Sequence, residues 1–334
     1  MIRNIRYKQE VIDKVLELKS EGVTHREISR IVFGKPSAAS SVHYIIKSAM
    51  AQQEEEMLLE ERTGASTDTH ELPIGYPKIL FLDIETAPML VRNWSLWQQY
   101  TSLEQLQVDW FIMSWAAKWG HSDEVFYEDV RDCVEDETDE SILQGIWTLL
   151  DEADIIVTQN GKKFDEKKLN ARFIMNGYQP PSSYKHVDTL QIAKSRFGFT
   201  SNKLAYMTDV LNTKFKKLDH AKYQGYSLWD ECLKGNLDAW DEMEEYNRYD
   251  VLSLQELYEK LRAWDKRHPS TQVYTSTDKM HCSCGSTDLV KNGFVYTNLS
   301  KFQRYRCNGC GSEVRGRKNL LHPEKRKSLT MNIQ

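Results

Sequence analysis

Apolar positions along this chain fall into three patterns. Over residues 7–50 they recur at helical spacing in short bursts: Val11, Val15 and Leu18, then Ile28, Ile31 and Val32, then Val42, Ile45 and Ile46. That spacing predicts three short helices. Thr24 followed by Glu27 has the form of a capping box at the start of the second. Gly34-Lys35-Pro36 then breaks the chain before the third, which Ser37 can cap. From residue 76 the runs lengthen. Ile79 to Leu82 is a continuous apolar run and Ile155 to Thr158 a second, as in strands covered on both faces. Phe111 to Trp119 and Glu124 to Tyr127 read as further strands. Amphipathic stretches predict helices at Ser141–Leu150, at about Phe164–Asn176, at Leu190–Phe197 behind Asp188-Thr189, and at Leu237–Trp264. Strands joined by helices make an α/β sheet with helices on its faces. Beyond residue 279, closely spaced cysteines and glycines replace the long apolar runs.

Between the first two patterns, Glu54-Glu55-Glu56 and Glu60-Glu61-Arg62 extend the third helix into solvent, and Gly64 to Gly75 is rich in Thr, Ser, Gly and Pro. The expected units are therefore 1–50, a linker over 51–75, a body over 76–268, a small unit over 279–320 and a basic tail over 321–334. A length of 334 residues suits several units better than one core.

Composition narrows the class. Hydrophobic residues make up 40% of the chain, enough for a globular protein, and no run reaches the 18 or so apolar residues of a membrane span. The start lacks an apolar export segment, so a cytoplasmic protein of a bacterial or phage-infected cell is expected. Six cysteines, four of them clustered near the end, point to a metal in a reducing compartment and not to a disulfide scaffold. The net charge of −5 hides a division. Residues 1–50 hold nine Lys/Arg against five Asp/Glu, and residues 279–334 hold eleven against three, so the acid is concentrated in the middle. Basic ends around an acidic centre suit nucleic-acid-binding appendages on a metal-loaded body. Solvated tails are the plainer alternative, and the coincidence of the basic ends with two recognisable modules argues against it.

The candidate chemistry starts at the first long strand. Asp83 and Glu85 are two apart, so on a strand both point to one face. Paired acids repel unless neutralised, and hard oxygen ligands suit Mg²⁺ or Mn²⁺. Two solvated acids at a strand end are the alternative. Later, Gln159-Asn160-Gly161 closes a strand and Phe164-Asp165 follows. Tyr246 and Asp250 are i and i+4 on the long helix, sharing a face.

In order and spacing these motifs resemble the DEDDy branch of the 3′–5′ exonucleases in the DnaQ-like, RNase H-like superfamily, over residues 76–264. The sister branch carries a histidine five residues before the last aspartate; here that position is Glu245. Asp83-Ile-Glu-Thr-Ala-Pro, Pro180-Pro-Ser-Ser-Tyr-Lys and Ser201-Asn-Lys-Leu are most similar to bacteriophage-encoded exonucleases. The resemblance implies an RNase H-like core, a mixed sheet flanked by helices, holding two Mg²⁺ or Mn²⁺ ions. Asp83 would be shared by both ions, Glu85 and Asp250 would complete the water-activating site, Asp165 would serve the second ion, and Tyr246 would orient water. Thr86, Asn160 and Lys203 are the expected nucleic-acid contacts of the body. Two departures stand out: Gln159 replaces a common histidine, and Thr86-Ala87-Pro88-Met89-Leu90 replaces Thr-Gly-Leu, so Met89 or Leu90 is a candidate wedge between terminal bases.

Other residues carry two readings. Asp188 is a helix cap or a further metal ligand. Trp94, Trp97, Trp110, Trp115 and Trp119 are mostly core and groove wall, or include stacking platforms. Lys203, Lys214, Lys216 and Lys217 guide a phosphate backbone or form a solvated face.

The two ends carry their own motifs. Residues 1–50 resemble the small helix-turn-helix units of phage and transposon proteins. The third helix would present Ser37, Ser40, Ser41, His43, Tyr44 and Lys47, with Ser41, Tyr44 and Lys47 as the expected DNA contacts. A three-helix interaction module is the alternative. Cys282-x-Cys284 and Cys307-x₂-Cys310 form two knuckles, each followed by a glycine, and tetrahedral zinc is their natural occupant. The stretch Gln303 to Cys307 is similar to zinc ribbons of transposases and phage proteins. Those usually have two residues between the first pair, so His281 could replace Cys282 as a ligand. Arg304 and Arg306, with the tail cations, are the expected phosphate contacts. Cys133 and Cys232 read as ordinary buried thiols.

The expected function is metal-dependent 3′–5′ exonucleolytic hydrolysis of DNA, with RNA as the alternative substrate and replication or recombination proteins as possible partners. A transposase-like protein would also combine such ends with an RNase H-like core, but its acids do not include one two residues after the first, nor Tyr-x₃-Asp in a late helix. A non-catalytic DNA-binding regulator is the remaining alternative.

Overall fold

A computed structural model describes residues 9–34, 42, 45–46, 75–97, 100–211, 213–215, 222–223 and 225–333. In its first unit α1 (Gln9–Ser20) and α2 (His25–Phe33) share a small core with helical residues 42, 45 and 46: Ile12, Val15, Leu18, Ile28, Val42, Ile45 and Ile46 are buried together. The Thr24–Glu27 capping box forms, and Gly34 closes α2 at φ 73°, a left-handed conformation that glycine adopts without cost. Ile31, expected to face inward, is exposed, because the buried stripe of α2 runs through Ile28 and Ser29 and turns residue 31 away. Ser37, Ser40, Ser41, His43, Tyr44 and Lys47 lie outside the described residues, as do most of the expected linker and Lys216 and Lys217.

The body is organised around β1 (Ile79–Thr86). The chain then runs through β2 (Leu90–Val91), β3 (Leu106–Val108), β4 (Ile112–Trp119), β5 (Val125–Asp129), α3 (Leu143–Glu152), β6 (Ile155–Thr158), α4 (Asp165–Met175), β7 (Lys185–Asp188) and α5 (Thr189–Arg196). The short helices α6 (Leu204–Val210) and α7 (Ser227–Leu233) precede the 25-residue α8 (Leu237–Leu261). Five strands form one sheet in the order β5-β4-β1-β6-β7. β1 is antiparallel to β4 and parallel to β6, which makes the sheet mixed.

The alternation of β1 divides the core. Leu80, Leu82 and Ile84 face one apolar cluster with Leu143, Ile146, Leu169 and Phe173 of α3 and α4. Ile79 and Phe81 face another with Ile192, Leu204, Val251, Leu254 and Tyr258 of α5, α6 and α8. Asp83 and Glu85 continue the odd-numbered face, so both side chains emerge on the side of α8. Along α8 the buried positions include Trp240, Met243, Tyr246, Asn247, Asp250, Leu254 and Leu257. These follow the three-and-four spacing of a single stripe. Where the stripe passes the carboxyl end of β1, its residues become polar.

Between β1 and β4 the chain leaves the sheet through the paired β2 and β3. Here the tryptophans divide. Trp115 is buried, its Nε1–H donating to Ile142 O at 2.8 Å, and Trp110 and Trp119 are half-buried. Trp94 and Trp97 are almost fully exposed, with Leu96, Tyr100 and Leu103, so packing holds for three of the five. Strands of two and three residues offer no face broad enough to cover them.

After α8 comes a second sheet, antiparallel in the order β10-β9-β8, from β8 (Leu289–Thr297), β9 (Ser300–Cys307) and β10 (Glu313–Arg315). A short α9 (Pro323–Lys327) follows. Among the described residues no helix is long and apolar enough to cross a membrane.

Candidate active site

β1 pairs with β6 only as far as Phe81, while its pairing with β4 continues to Thr86. The last five of the eight residues of β1 therefore run beyond its parallel neighbour, and a cleft opens there, outside the carboxyl ends of β1 and β6. The cleft has a volume of about 390 Å³, and Asp83, Glu85, Asn160, Asp165, Lys203 and Asp250 line it with neighbouring apolar residues.

Three of the four expected acids converge. Carboxylate oxygens of Asp83, Glu85 and Asp250 all lie within 4.8 Å of one another. Asp83 and Glu85 are each held by a neighbour. Asn247 Nδ2 donates to Asp83 Oδ2 at 2.8 Å, and Ser114 Oγ donates to Asn247 Oδ1 at 3.2 Å. Trp229 Nε1–H donates to Glu85 Oε2 at 3.2 Å, and its ring meets that of Tyr246 edge-on at 6.2 Å. Asp165 stands apart from this trio. It is the first residue of α4, buried, and its Oδ1 accepts the Ile84 N–H at 3.2 Å. The fourth acid is thus tied to the backbone between the first two. Burial pushes its carboxyl up to about 7, with the nearby Asp188 charge adding to the effect and two backbone hydrogen bonds opposing it.

Tyr246 is buried between these groups. Desolvation, then the charges of Asp250, Glu85 and Asp83, hold its phenol far above the ordinary range. It stays protonated at any working pH, able to donate a hydrogen bond but unable to act as a base.

The floor of the cleft is set by the turn after β6. Asn160 takes φ 70°, which Asn tolerates better than most residues. A Cβ on Gly161 would lie 2.2 Å from Thr158 Oγ1, so only glycine fits. Gly161 N–H donates to Thr158 Oγ1 at 3.1 Å, which pairs with His186 Nε2 at 2.8 Å, and His186 Nδ1 pairs with Glu166 at 3.0 Å. Asp188 acts as a cap in two directions. It accepts from Leu190 and Gln191 at the start of α5, and from Asn160 and Lys162 in the turn. Gln159, in the place of the common histidine, donates to Asn202 O at 3.0 Å and accepts from Thr189.

Among the other expected residues, Lys203 reaches the cleft and stands at the N-terminus of α6. Thr86 ends β1 just after a bulge, and Met89 and Leu90 are exposed beyond it. Asn247 and Trp229 were not singled out from sequence. Asn247 was legible in principle, three residues before Asp250 on the same face; Trp229 had no local signal.

The four expected thiols also converge, with all Sγ atoms within 4.8 Å of one another. Cys282–Cys310 and Cys284–Cys307 are 3.6 Å apart. Four sulfurs about 2.3 Å from a central ion in a tetrahedron would be roughly 3.8 Å apart, so the cluster fits zinc. Hydrogen bonding from Cys284 favours the ionised form of Cys282, and the same contact holds Cys284 protonated. His281 lies outside the cluster, its Nε2 paired with Thr275 Oγ1 at 3.2 Å. Arg304 turns inward, with Nε donating to Asn292 O at 2.7 Å and Nη1 paired with Glu313, whereas Arg306 is exposed. Cys232 is buried and Cys133 half-buried, both with thiols raised by desolvation.

A model of the RNase_H superfamily matches residues 113–262. That span contains Asp165, Tyr246 and Asp250 and begins after Asp83 and Glu85. No protein of curated function matches the chain. Among solved structures, the family B DNA polymerase of the hyperthermophilic archaeon Pyrobaculum calidifontis is similar at 16% identity and a TM-score of 0.40. The match covers 56% of this chain and 25% of that one. The fold of the body is RNase H-like, a mixed α/β sheet with helices on both faces.

Proposed function

We propose that this protein is a metal-dependent 3′–5′ exonuclease of the DEDDy type, acting on DNA. The observation that carries the reading is the convergence of Asp83, Glu85 and Asp250, from a central strand and a distant helix, at the mouth of a cleft that Asp165 also lines. Three carboxylates so close are mutually repulsive, and a hard divalent cation is the partner that removes the repulsion. Asp83, Glu85 and Asp250 would hold one Mg²⁺ or Mn²⁺, and Asp83 and Asp165 a second; when bound, such ions supply charge neutralisation and an activated water.

The chain's own residues fix the rest. Asn247 and Trp229 each donate to one of the clustered acids and so set which oxygens face the cleft. Tyr246, protonated, would orient a water molecule by hydrogen bonding. The Asn160-Gly161 turn presents backbone close to the cleft, and Lys203 supplies a cation at its rim for a phosphate. Tyr-x₃-Asp on α8, together with a second acid two residues after the first, favours this reading over a transposase-like one.

The test uses 5′-labelled single strands of DNA and of RNA, with Mg²⁺, with Mn²⁺ and with EDTA, beside Asp83→Ala. The expected result is a DNA ladder shrinking from the 3′ end, abolished by EDTA and by the substitution. A ladder on RNA alone would transfer the reading to an exoribonuclease. No cleavage of either strand or of a duplex would leave a nucleic-acid-binding protein without this activity.

A further inference from the structure

The second sheet has two chemically different faces. In an antiparallel pair, residues directly opposite share a face, as do residues two apart on one strand. Tyr296 is opposite Lys301, and Phe294 opposite Gln303, so these four lie together. Lys291 is opposite Tyr305, two residues beyond Gln303. Lys291 and Phe294 are three apart and would normally point to opposite faces. The register shift between them, at Gly293 with φ 70°, inserts one residue and brings them to the same side. One face therefore carries Phe294, Tyr296 and Tyr305, flanked by Lys291 and Lys301. The other carries Val290, Val295, Phe302 and the arginines at 304, 306 and 315, where Arg315 covers the Phe302 ring at 4.1 Å.

Phe294 and Tyr296 are exposed, at 43% and 66%, and Lys291 is exposed beside them. No helix of this unit covers them: α9 is five residues long. Their partner in the structure is Lys301, whose Nζ sits 3.9 Å from the Phe294 ring centre and 5.7 Å from that of Tyr296. A sheet of three strands with exposed rings bracketed by lysines, in a segment holding eleven Lys/Arg against three Asp/Glu, has the chemistry of a base-stacking platform. Ring faces accept any base, and the ammonium groups reach the phosphates between them. A duplex hides its base faces and gains nothing from such rings.

We infer that this face binds single-stranded nucleic acid, stacking unpaired bases on Phe294 and Tyr296 while Lys291 and Lys301 take the backbone. The inference rests on the nucleic-acid reading above and adds the strand form that the unit selects. An exposed cation–ring contact is worth less than a base–aromatic stack, so an incoming base displaces the Lys301 ammonium, which then serves a phosphate.

The test measures anisotropy of labelled oligothymidylate of about 20 nucleotides, and of a duplex of the same length, on full-length protein carrying Asp83→Asn to block cleavage. Phe294→Ala with Tyr296→Ala should weaken single-strand binding roughly tenfold to a hundredfold and leave duplex binding within about twofold. Zinc content and melting temperature show that the variant is folded. Tyr296→Trp, which keeps a ring, should retain the affinity. Unchanged single-strand affinity in the folded double variant would overturn the inference, as would an equal loss on both probes. Cleavage is assayed separately, with Asp83 intact, so a protein that binds through these rings but cuts nothing would sink the nuclease reading alone.

Discussion

Asp165 is the residue whose perturbation best separates architecture from chemistry. In the metal-free protein its carboxyl titrates near 7 rather than at its ordinary 3.8, chiefly because it is buried. At 1.36 kcal/mol per decade, holding it ionised above pH 7 costs on the order of 4 kcal/mol. The sign follows from proton counting. The native protein keeps this proton up to about pH 7 and the unfolded chain releases it near 3.8, so the native state binds more protons across that interval. Stability therefore falls as pH rises through it. Asp165→Asn removes the titration but keeps an oxygen that can accept the Ile84 N–H. About two of the decades lie between pH 5 and 7. The variant's stability advantage over the native protein should thus widen by on the order of 3 kcal/mol between pH 5 and 8.

For a body of this size that is a relative shift in melting temperature of roughly 5–10 °C. The assay is calorimetry at pH 5 and pH 8 in buffer without added Mg²⁺ or Mn²⁺, with zinc left in place. Comparing the difference between the two proteins cancels the titrating groups that do not interact with Asp165; Asp188, whose charge adds to the shift, stays in the difference. Several millimolar Mg²⁺ should narrow or reverse the ranking at pH 8, because the native site gains more binding free energy. A difference that stays constant with pH would refute the reasoning, since it would show that Asp165 is solvated or already paired.

Trp229→Phe keeps a ring against Tyr246 and loses the N–H to Glu85; a hydrogen bond to a charged group is worth about 1.5–3 kcal/mol, so the melting temperature should fall by roughly 3–10 °C, and an unchanged one would show that Glu85 needs no such support. Gly161→Ala places a methyl group against Thr158 and should cost about 1–3 kcal/mol or more, read as a lower denaturant midpoint; an unchanged midpoint would mean the turn relaxes freely. His186 and His268 are both held below their ordinary 6.5 by burial. The unfolded chain takes up these protons first, so both contributions to stability are lost as pH falls below about 6.5. In urea titrations His268→Gln should lose less stability than the native protein between pH 7 and 5; parallel losses would remove His268 from the account.

Much of the body was legible because its signals are local. The apolar run at Ile79 became β1, and the predicted helix over Leu237–Trp264 became α8 with a short 3₁₀ turn at its end. Asp83, Glu85 and Asp250 were found by spacing within single elements, and the structure brings them together. Trp229 was invisible because its role depends on α7 packing beside β1, a relation between residues 144 positions apart. Which of the five tryptophans would stay exposed was not legible for a related reason: hydrophobicity in a sequence names what prefers to be buried, and at Trp94 and Trp97 β2 and β3 provide nothing to bury it. Ile31 failed by one step of helical phase, since a nine-residue helix leaves its buried direction to its neighbours.

The position of the thiol cluster connects the last unit to the first strand of the body. Tyr76, three residues before β1, lies with its ring 3.1 Å from where a Cβ on Gly285 would sit, which leaves the knuckle turn to glycine at φ 87°. Ser312 Oγ donates to Ala263 O just beyond α8, and Thr271 Oγ1 donates to Cys282 O, both at 3.4 Å. The knuckles are thus held against the segment leading into β1 and the segment leaving α8. Those are the two elements that supply Asp83, Glu85 and Asp250. An ion in the four-thiol site would fix the knuckles, and through them the ends of both elements. The small sheet would then present its aromatic face from a base anchored to both of those elements.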